Sequence, residues 1–223
     1  MTTRGEKVCQ FIERYCLVPE GSGVGQPMKL MNFQRKFILE VYDNPAGTSR
    51  AYLSVARKNG KSSLIAAIML AHLVGPEAQT NSQIISGARS RDQASLVFKL
   101  AEKMVRLSNE LSKIVRIVPS QKTLLGLICN VEYKAISAES GTAHGLSPIL
   151  AILDEVGQVR GPYDPFVEAI ETSQGAHSSP LLIAISTQSS TDGDLFSNWL
   201  DDAANAKDPE QQRFRMGQGM QLI

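Results

Sequence analysis

Apolar residues recur at spacings of three, four and seven in residues 5–17, placing Val8, Phe11, Ile12, Tyr15 and Cys16 on one face of a helix that stops before Pro19. Residues 20–27 are crowded with Gly and Pro and read as loop. A second helix is expected over residues 31–42, with Asn32 as a cap and Phe33, Phe37, Ile38 and Val41 inward. A short apolar run at 51–55 reads as a strand, and the unbroken apolar stretch 64–74 as a buried helix ended by Gly75-Pro76. Residues 83–87 form a short buried strand. A long helix follows from Arg89, with Ala94, Leu96, Val97, Leu100, Met104 and Leu107 facing the core. Residues 109–118 read as helix and then strand, and 123–130 with 131–136 as an antiparallel pair. A polar loop over 137–148 leads into Ile149-Leu150-Ala151-Ile152-Leu153, the run expected of a parallel strand buried on both faces. A helix over 163–172, a strand over 180–185 and a helix over 195–204 around Trp199 complete the ordered part. Residues 211–223 show neither period.

Composition adds only bounds. With 43% hydrophobic and 20% charged residues in 223, the chain can bury a substantial α/β core. The formal net charge of +1 offers no global attraction for nucleic acid, so any DNA contact must come from local patches. Cys9, Cys16 and Cys129 form no C-x-x-C pair and have no nearby His, which argues against zinc or a disulfide framework and for core packing in a reducing compartment. No stretch reaches the roughly 18 apolar residues of a membrane span, and the N-terminus leads into no long apolar run, so a soluble, unexported protein is expected.

Chemistry enters at the strand ends. Between the strand at 51–55 and the helix at 64–74 lies Ala56-Arg57-Lys58-Asn59-Gly60-Lys61-Ser62-Ser63, the setting of a phosphate-binding loop. Gly60 allows the backbone to approach a phosphate, Lys61 reaches the β and γ oxygens, and the Ser62 hydroxyl holds Mg²⁺. The first glycine of the usual G-x-x-x-x-G-K-[ST] pattern is replaced by Val55, which leaves an ordinary capped turn as the plain alternative. The second strand end carries Asp154-Glu155: Asp154 would hold Mg²⁺ with Ser62, and Glu155 would orient and deprotonate the attacking water. A solvated acidic turn is the alternative there. The third strand ends in Ser186-Thr187-Gln188, which could contact the γ-phosphate or be merely a polar strand end. Gln34 could both donate to and accept from an adenine edge with Phe33 packed beside it, or could be an exposed glutamine next to a core phenylalanine. In a mostly parallel sheet the three strand ends share one edge, where such sheets bind ligands. The expected fold is therefore α/β, a P-loop NTPase of the additional-strand, catalytic-glutamate type, with a mostly parallel central sheet flanked by helices and with ATP and Mg²⁺ as cofactors.

Phe33-Gln34, Ala56 to Ser62, Ser137-Ala138-Glu139 with His144-Gly145-Leu146-Ser147-Pro148, Leu153-Asp154-Glu155 and Ser186-Thr187-Gln188 occur in an order that resembles the large terminase subunit of tailed bacteriophages. That family's P-loop also lacks the first glycine and carries an arginine where this chain has Arg57. The resemblance implies an ATP-driven motor that packages double-stranded DNA in the host cytoplasm. It would dock on the portal protein as a homo-oligomeric ring, be fed by a small terminase subunit and make no membrane contact; alone in solution, a monomer is the alternative. It also implies that Arg57 contacts phosphates in cis and takes part in catalysis.

Residues 1–208 are expected to form the ATPase domain and 209–223 an irregular tail, with no room for the nuclease domain of full-length members. Asp192, Asp194, Asp201 and Asp202 then read as loop and helix-surface acids. For an arginine reaching a neighbour's ATP site, Arg89, Arg91 and Arg160 are the candidates, since no arginine lies between Arg116 and Arg160. His144 reads as a structural loop residue. The competing readings are a helicase-like nucleic-acid-remodelling ATPase and an inactive nucleotide-binding assembly module.

Overall fold

The structure, a computed structural model, describes residues 1–56, 59–138 and 145–205, together with the backbone of 211–215. Helices α1 (Arg4–Tyr15) and α2 (Asn32–Tyr42) precede strand β1 (Arg50–Ser54) and helix α3 (Lys61–Val74). Then come β2 (Gln83–Ala88), α4 (Arg91–Leu107), α5 (Leu111–Ile114), β3 (Val115–Val118), β4 (Thr123–Gly126) and β5 (Val131–Ser137). The chain continues through β6 (Pro148–Asp154), α6 (Pro165–Ser173), β7 (Leu181–Ser186), α7 (Leu195–Ala204) and β8 (Gln211–Arg215).

Among the described residues these strands make one eight-stranded sheet in the order β3-β4-β5-β2-β6-β7-β1-β8. The six strands from β5 to β8 pair in parallel, and β3-β4-β5 form an antiparallel meander at one edge. Strand β7 lies between β1 and β6, with Ser54 level with Ser186 and Asp154 level with Ile185. That register brings the expected site together: three neighbouring parallel strands deliver their C-terminal residues to one stretch of sheet edge.

Alternation along the strands sorts side chains between two cores. Ala51, Leu53, Leu150, Ile152, Ile183 and Ile185 pack on the side of α1 to α5, whereas Tyr52, Ala151, Leu153, Leu182 and Ala184 pack on the side of α6 and α7. Both β6 and β7 are buried throughout, which is why they read as continuous apolar runs. Helix α3 runs beneath the sheet with every residue from Leu64 to Leu73 buried. Cys9 and Cys16 are both fully buried in the first core, where loss of hydration raises the Cys16 thiol to about 12 and the Cys9 thiol to about 11.

Four expectations are corrected. Leu96 and Leu107, taken as inward, are 39% and 37% exposed: α4 buries Ala94, Val97, Phe98, Leu100, Ala101, Met104 and Val105, a stripe that leaves positions 96 and 107 on its outer flank. The α2 helix is capped from Met31 rather than by Asn32, because the Gln34 side chain accepts from the Met31 N–H at 3.0 Å. The tail expected to be irregular contains β8, which extends the sheet beyond β1 with Arg50 opposite Gln211. Asp194 is no surface acid, and its place is described with the site below. No helix among the described residues is long and apolar enough to cross a membrane.

Candidate active site at the C-terminal edge of the sheet

Gly60 turns the chain from β1 into α3 with φ 70° and ψ 16°, a left-handed conformation that glycine adopts without strain. A Cβ at this position would lie 3.4 Å from Nε2 of Gln34, so α2 packs its amide directly against the turn. Lys61 is the first residue of α3 and is only 7% exposed; its Nζ lies 3.2 Å from Oε1 of Glu155. Ser62 and Ser63 follow, half-buried in the first helical turn, the part of a helix whose N–H groups lack intrahelical partners and whose dipole favours anions. Asn59 donates its amide to the Ala56 carbonyl at 3.2 Å, bracing the loop from within. Arg57 and Lys58 lie outside the described residues, as do Glu139 and His144.

Asp154 ends β6, is 5% exposed, and its Oδ1 is buried with no hydrogen-bond partner among the described residues. Burial first, and the charge of Glu155 second, raise its carboxyl to about 7 against the pull of Lys61. An orphaned carboxylate oxygen is costly unless something cationic completes it, and a hard divalent ion suits that donor. Among the described residues no three His, Cys, Asp or Glu side chains converge as a ready-made metal site. A Mg²⁺ here would therefore be held by one carboxylate, the Ser62 hydroxyl and nucleotide phosphates, the donor set this ion accepts.

Glu155 itself has φ 58° and ψ 35°, a left-handed conformation rare for a residue with a side chain. Its N–H donates to the Ile185 carbonyl at 2.8 Å, and the chain then makes a tight 3₁₀ turn over Val156–Gln158. Gly157 locks that turn to β7. Its N–H donates to Ser186 Oγ at 2.9 Å, and a Cβ on Gly157 would fall 2.4 Å from the Thr187 carbonyl oxygen and 2.7 Å from Ser186 Oγ.

Gly157 is an addition to the residues expected at the site, although a glycine two residues beyond an acidic pair is a signal for close backbone approach. Gly157→Ala is expected to cost about 1–3 kcal/mol of stability, since the added methyl meets backbone that cannot swing away. It should also shift Glu155 away from Lys61; thermal unfolding checks the first effect and a crystal structure of the variant the second.

The structure brings Gly60, Lys61, Ser62, Asp154 and Glu155 to one place and separates other candidates from them. Ser186 is fully buried and its hydroxyl accepts from Gly157, so it braces the turn; Thr187 is half-buried and Gln188 exposed at the same edge. Phe33 is 2% exposed and belongs to the core, leaving Gln34 alone beside the loop. The carbonyl of Gln34 is already engaged by Met31, so its amide nitrogen is the freer group toward a base. Arg89 donates to the Gln158 carbonyl at 3.3 Å within the same chain, and Arg160 sits 3.6 Å from Asp194.

Asp194 is 3% exposed and accepts from the N–H groups of Gly161 at 2.9 Å and Thr191 at 3.0 Å, bonds that hold its carboxyl below the usual range. It is a buried acceptor joining the segment after β6 to the start of α7. Asp192, Asp201 and Asp202 are exposed, as expected.

A parallel sheet with a glycine-lysine-serine turn after one strand, an aspartate-glutamate pair at the tip of another, and a third strand between them defines a P-loop NTPase of the additional-strand type. Comparison with known proteins narrows that class. The family described as "Terminase large subunit, ATPase domain" matches residues 33–204, and the chain belongs to it.

The large terminase subunit of Enterobacteria phage HK97 is 67% identical over 207 residues, covering 93% of this chain and 41% of that protein. The crystal structure of the HK97 large terminase superposes with a TM-score of 0.91 at 62% identity, over 98% of this chain and 45% of that one. The ATPase domain of the Thermus phage P74-26 large terminase, 21% identical, shares the fold with a TM-score of 0.64 over 83% of this chain and 80% of its own. The chain thus spans less than half the length of the HK97 protein it matches.

Proposed function

We propose that this domain hydrolyses ATP at the edge formed by β1, β7 and β6, and that hydrolysis drives double-stranded DNA through a portal into a capsid. The carrying observation is the 3.2 Å approach of Lys61 Nζ to Glu155 Oε1 beside the orphaned Oδ1 of Asp154, which joins residues about ninety positions apart in one charged cluster. Support for a nucleotide ligand comes from a D6E phage large terminase, which has the same fold and was crystallised in complex with ADP. The α3 N-terminus and Lys61 bind the phosphates, with Arg57 assigned to them by family likeness. Lys58, Asn59, Gly60, Ser62 and Ser63 contribute loop and helix N–H groups, Gln34 meets the base, and Thr187 and Gln188 border the γ-phosphate. Mg²⁺, when held by Ser62 and Asp154, supplies charge neutralisation on the phosphate oxygens.

Glu155 orients a water in line with the γ-phosphorus and takes its proton as the new oxygen–phosphorus bond forms. The bond from phosphorus to the bridging oxygen then breaks, leaving ADP and phosphate. Lys61 holds the charge that develops on the transferred group. The motor would act in the host cytoplasm as a ring on the portal protein, with the small terminase subunit delivering DNA. Phosphate release by this chain should rise several-fold when portal-bearing empty capsids and double-stranded DNA are added, and should not respond to single-stranded DNA alone. Stimulation by single strands without capsids would favour the helicase-like reading.

A further inference from the structure

The carboxylate of Glu155 is approached from two sides. Lys61 Nζ faces Oε1 at 3.2 Å, and the side-chain amide of Gln158 faces Oε2 at 3.5 Å. The second approach follows from the turn geometry: Gln158 N–H donates to the Glu155 carbonyl at 3.0 Å, and side chains three apart in a 3₁₀ turn lie one above the other. Gln158 is itself tied outward. Its Oε1 accepts from Gln93 Nε2 at 3.2 Å, and its main-chain carbonyl accepts from Arg89 at 3.3 Å. Gln93 sits on the first turn of α4 and Arg89 directly after β2, the strand on the other flank of β6 from β7.

We infer that Gln158 is a positioning residue for Glu155, anchored on α4 through Gln93. The inference rests on Glu155 being the water-orienting base. Lys61 cannot serve both masters at once: a γ-phosphate attracted to its ammonium competes with Glu155 for the same charge, and the phosphate also repels the carboxylate. A carboxylate released from lysine needs another donor to keep it aimed at the water. Gln158 supplies one that is neutral, so it neither draws phosphate away from Lys61 nor leaves the protein with an extra charge at the site. Because its own acceptor oxygen is held by Gln93, the amide points its N–H toward Glu155 and not away from it. The chain Glu155–Gln158–Gln93 thereby links the water-orienting group to the helix that follows β2.

Steady-state phosphate release, ATP KM and titration with a fluorescent ADP analogue test this on Gln158→Leu, Gln93→Ala, the double variant of these two, Glu155→Gln, and Gln158→Leu combined with Glu155→Gln. Misplacing a catalytic group slightly costs up to about a hundredfold. Gln158→Leu should lower kcat about tenfold, with KM and ADP affinity within about twofold of wild type. Gln93→Ala should show a smaller loss of the same kind, the double variant no more than Gln158→Leu, and Gln158→Leu no further loss in a Glu155→Gln background. The inference is overturned if Gln158→Leu keeps its kcat while Glu155→Gln loses activity, if KM rises in step with the fall in kcat, or if the two glutamine losses multiply. If Glu155→Gln hydrolyses ATP like the wild type, the assignment of the base fails first and this inference falls with it.

Discussion

Glu155→Gln is expected to bind nucleotide about as well as the wild type and to release phosphate about 10²–10⁴-fold more slowly, the range that a positioned base contributes. The amide has the volume of the carboxylate and can still touch Lys61, so the left-handed turn at Glu155 and its bond to Ile185 should survive. What is lost is the ability to accept a proton from water. Lys61 would be freed from its ionic partner, so affinity for ADP should hold or rise slightly. Titration with a fluorescent ADP analogue separates binding from chemistry, and equal hydrolysis by both proteins would remove Glu155 from the mechanism. The pair is largely buried, with its side chains 9% and 19% exposed, so loss of the carboxylate charge should lower the circular-dichroism melt modestly, the glutamine oxygen still accepting from Lys61.

The second large effect concerns stability and lies at the other end of the molecule. His72 on α3 is 5% exposed, bonds the Tyr42 hydroxyl at 2.8 Å through Nε2, and has a buried Nδ1 with no partner among the described residues. Burial chiefly, with Arg4 adding to it, lowers this imidazole from 6.5 to about 3. The groups around it are the Tyr42 hydroxyl, raised well above its usual value by burial, and the Arg4–Glu77 ion pair with Arg4 lying over the Tyr42 ring.

The unfolded chain protonates His72 as pH falls through 6.5, whereas the folded chain resists until about pH 3. Within that window the unfolded state binds more protons, so stability conferred by the neutral histidine is complete above pH 6.5 and drains away on acidification. The slope is about 1.4 kcal/mol per pH unit, of order 5 kcal/mol across the window. His72→Gln keeps a hydrogen-bonding group for Tyr42 and cannot titrate there. Urea unfolding at several pH values should show the wild type losing its advantage, or gaining a deficit, relative to His72→Gln between pH 6.5 and 4. A difference that stays constant over that interval would show that His72 does not carry the linkage.

The elements and the residues that cluster at the main site were legible in the chain. Buried parallel strands expose neither face to water, so β6 and β7 are apolar up to their last residues and stand out from their surroundings. Their polar ends stand out for the same reason: Asp154 and Glu155 directly follow a run in which a charge would be prohibitive. Gly60-Lys61-Ser62 is equally visible, because a phosphate loop needs these residue types in this order. Family likeness then tied the motifs together.

Only the tertiary structure decided which polar groups gather around Lys61 and which serve as braces. Ser186 and Glu155 are both polar residues at strand tips, yet one is fully buried against Gly157 and the other meets Lys61. Nothing local separates them, since the choice depends on how closely β6 and β7 approach after their last paired residues. The same holds for Asp194, which looks like a loop acid and is a buried acceptor for two segments distant in sequence. It holds too for Leu96, whose side of α4 is set by the sheet beneath it. The extended segment at 211–215 owes its existence as a strand to the free edge of β1, because its own pattern carries neither period. Local chemistry specifies what each segment can be; the packing of nonlocal neighbours, which no short pattern encodes, settles what each polar group does.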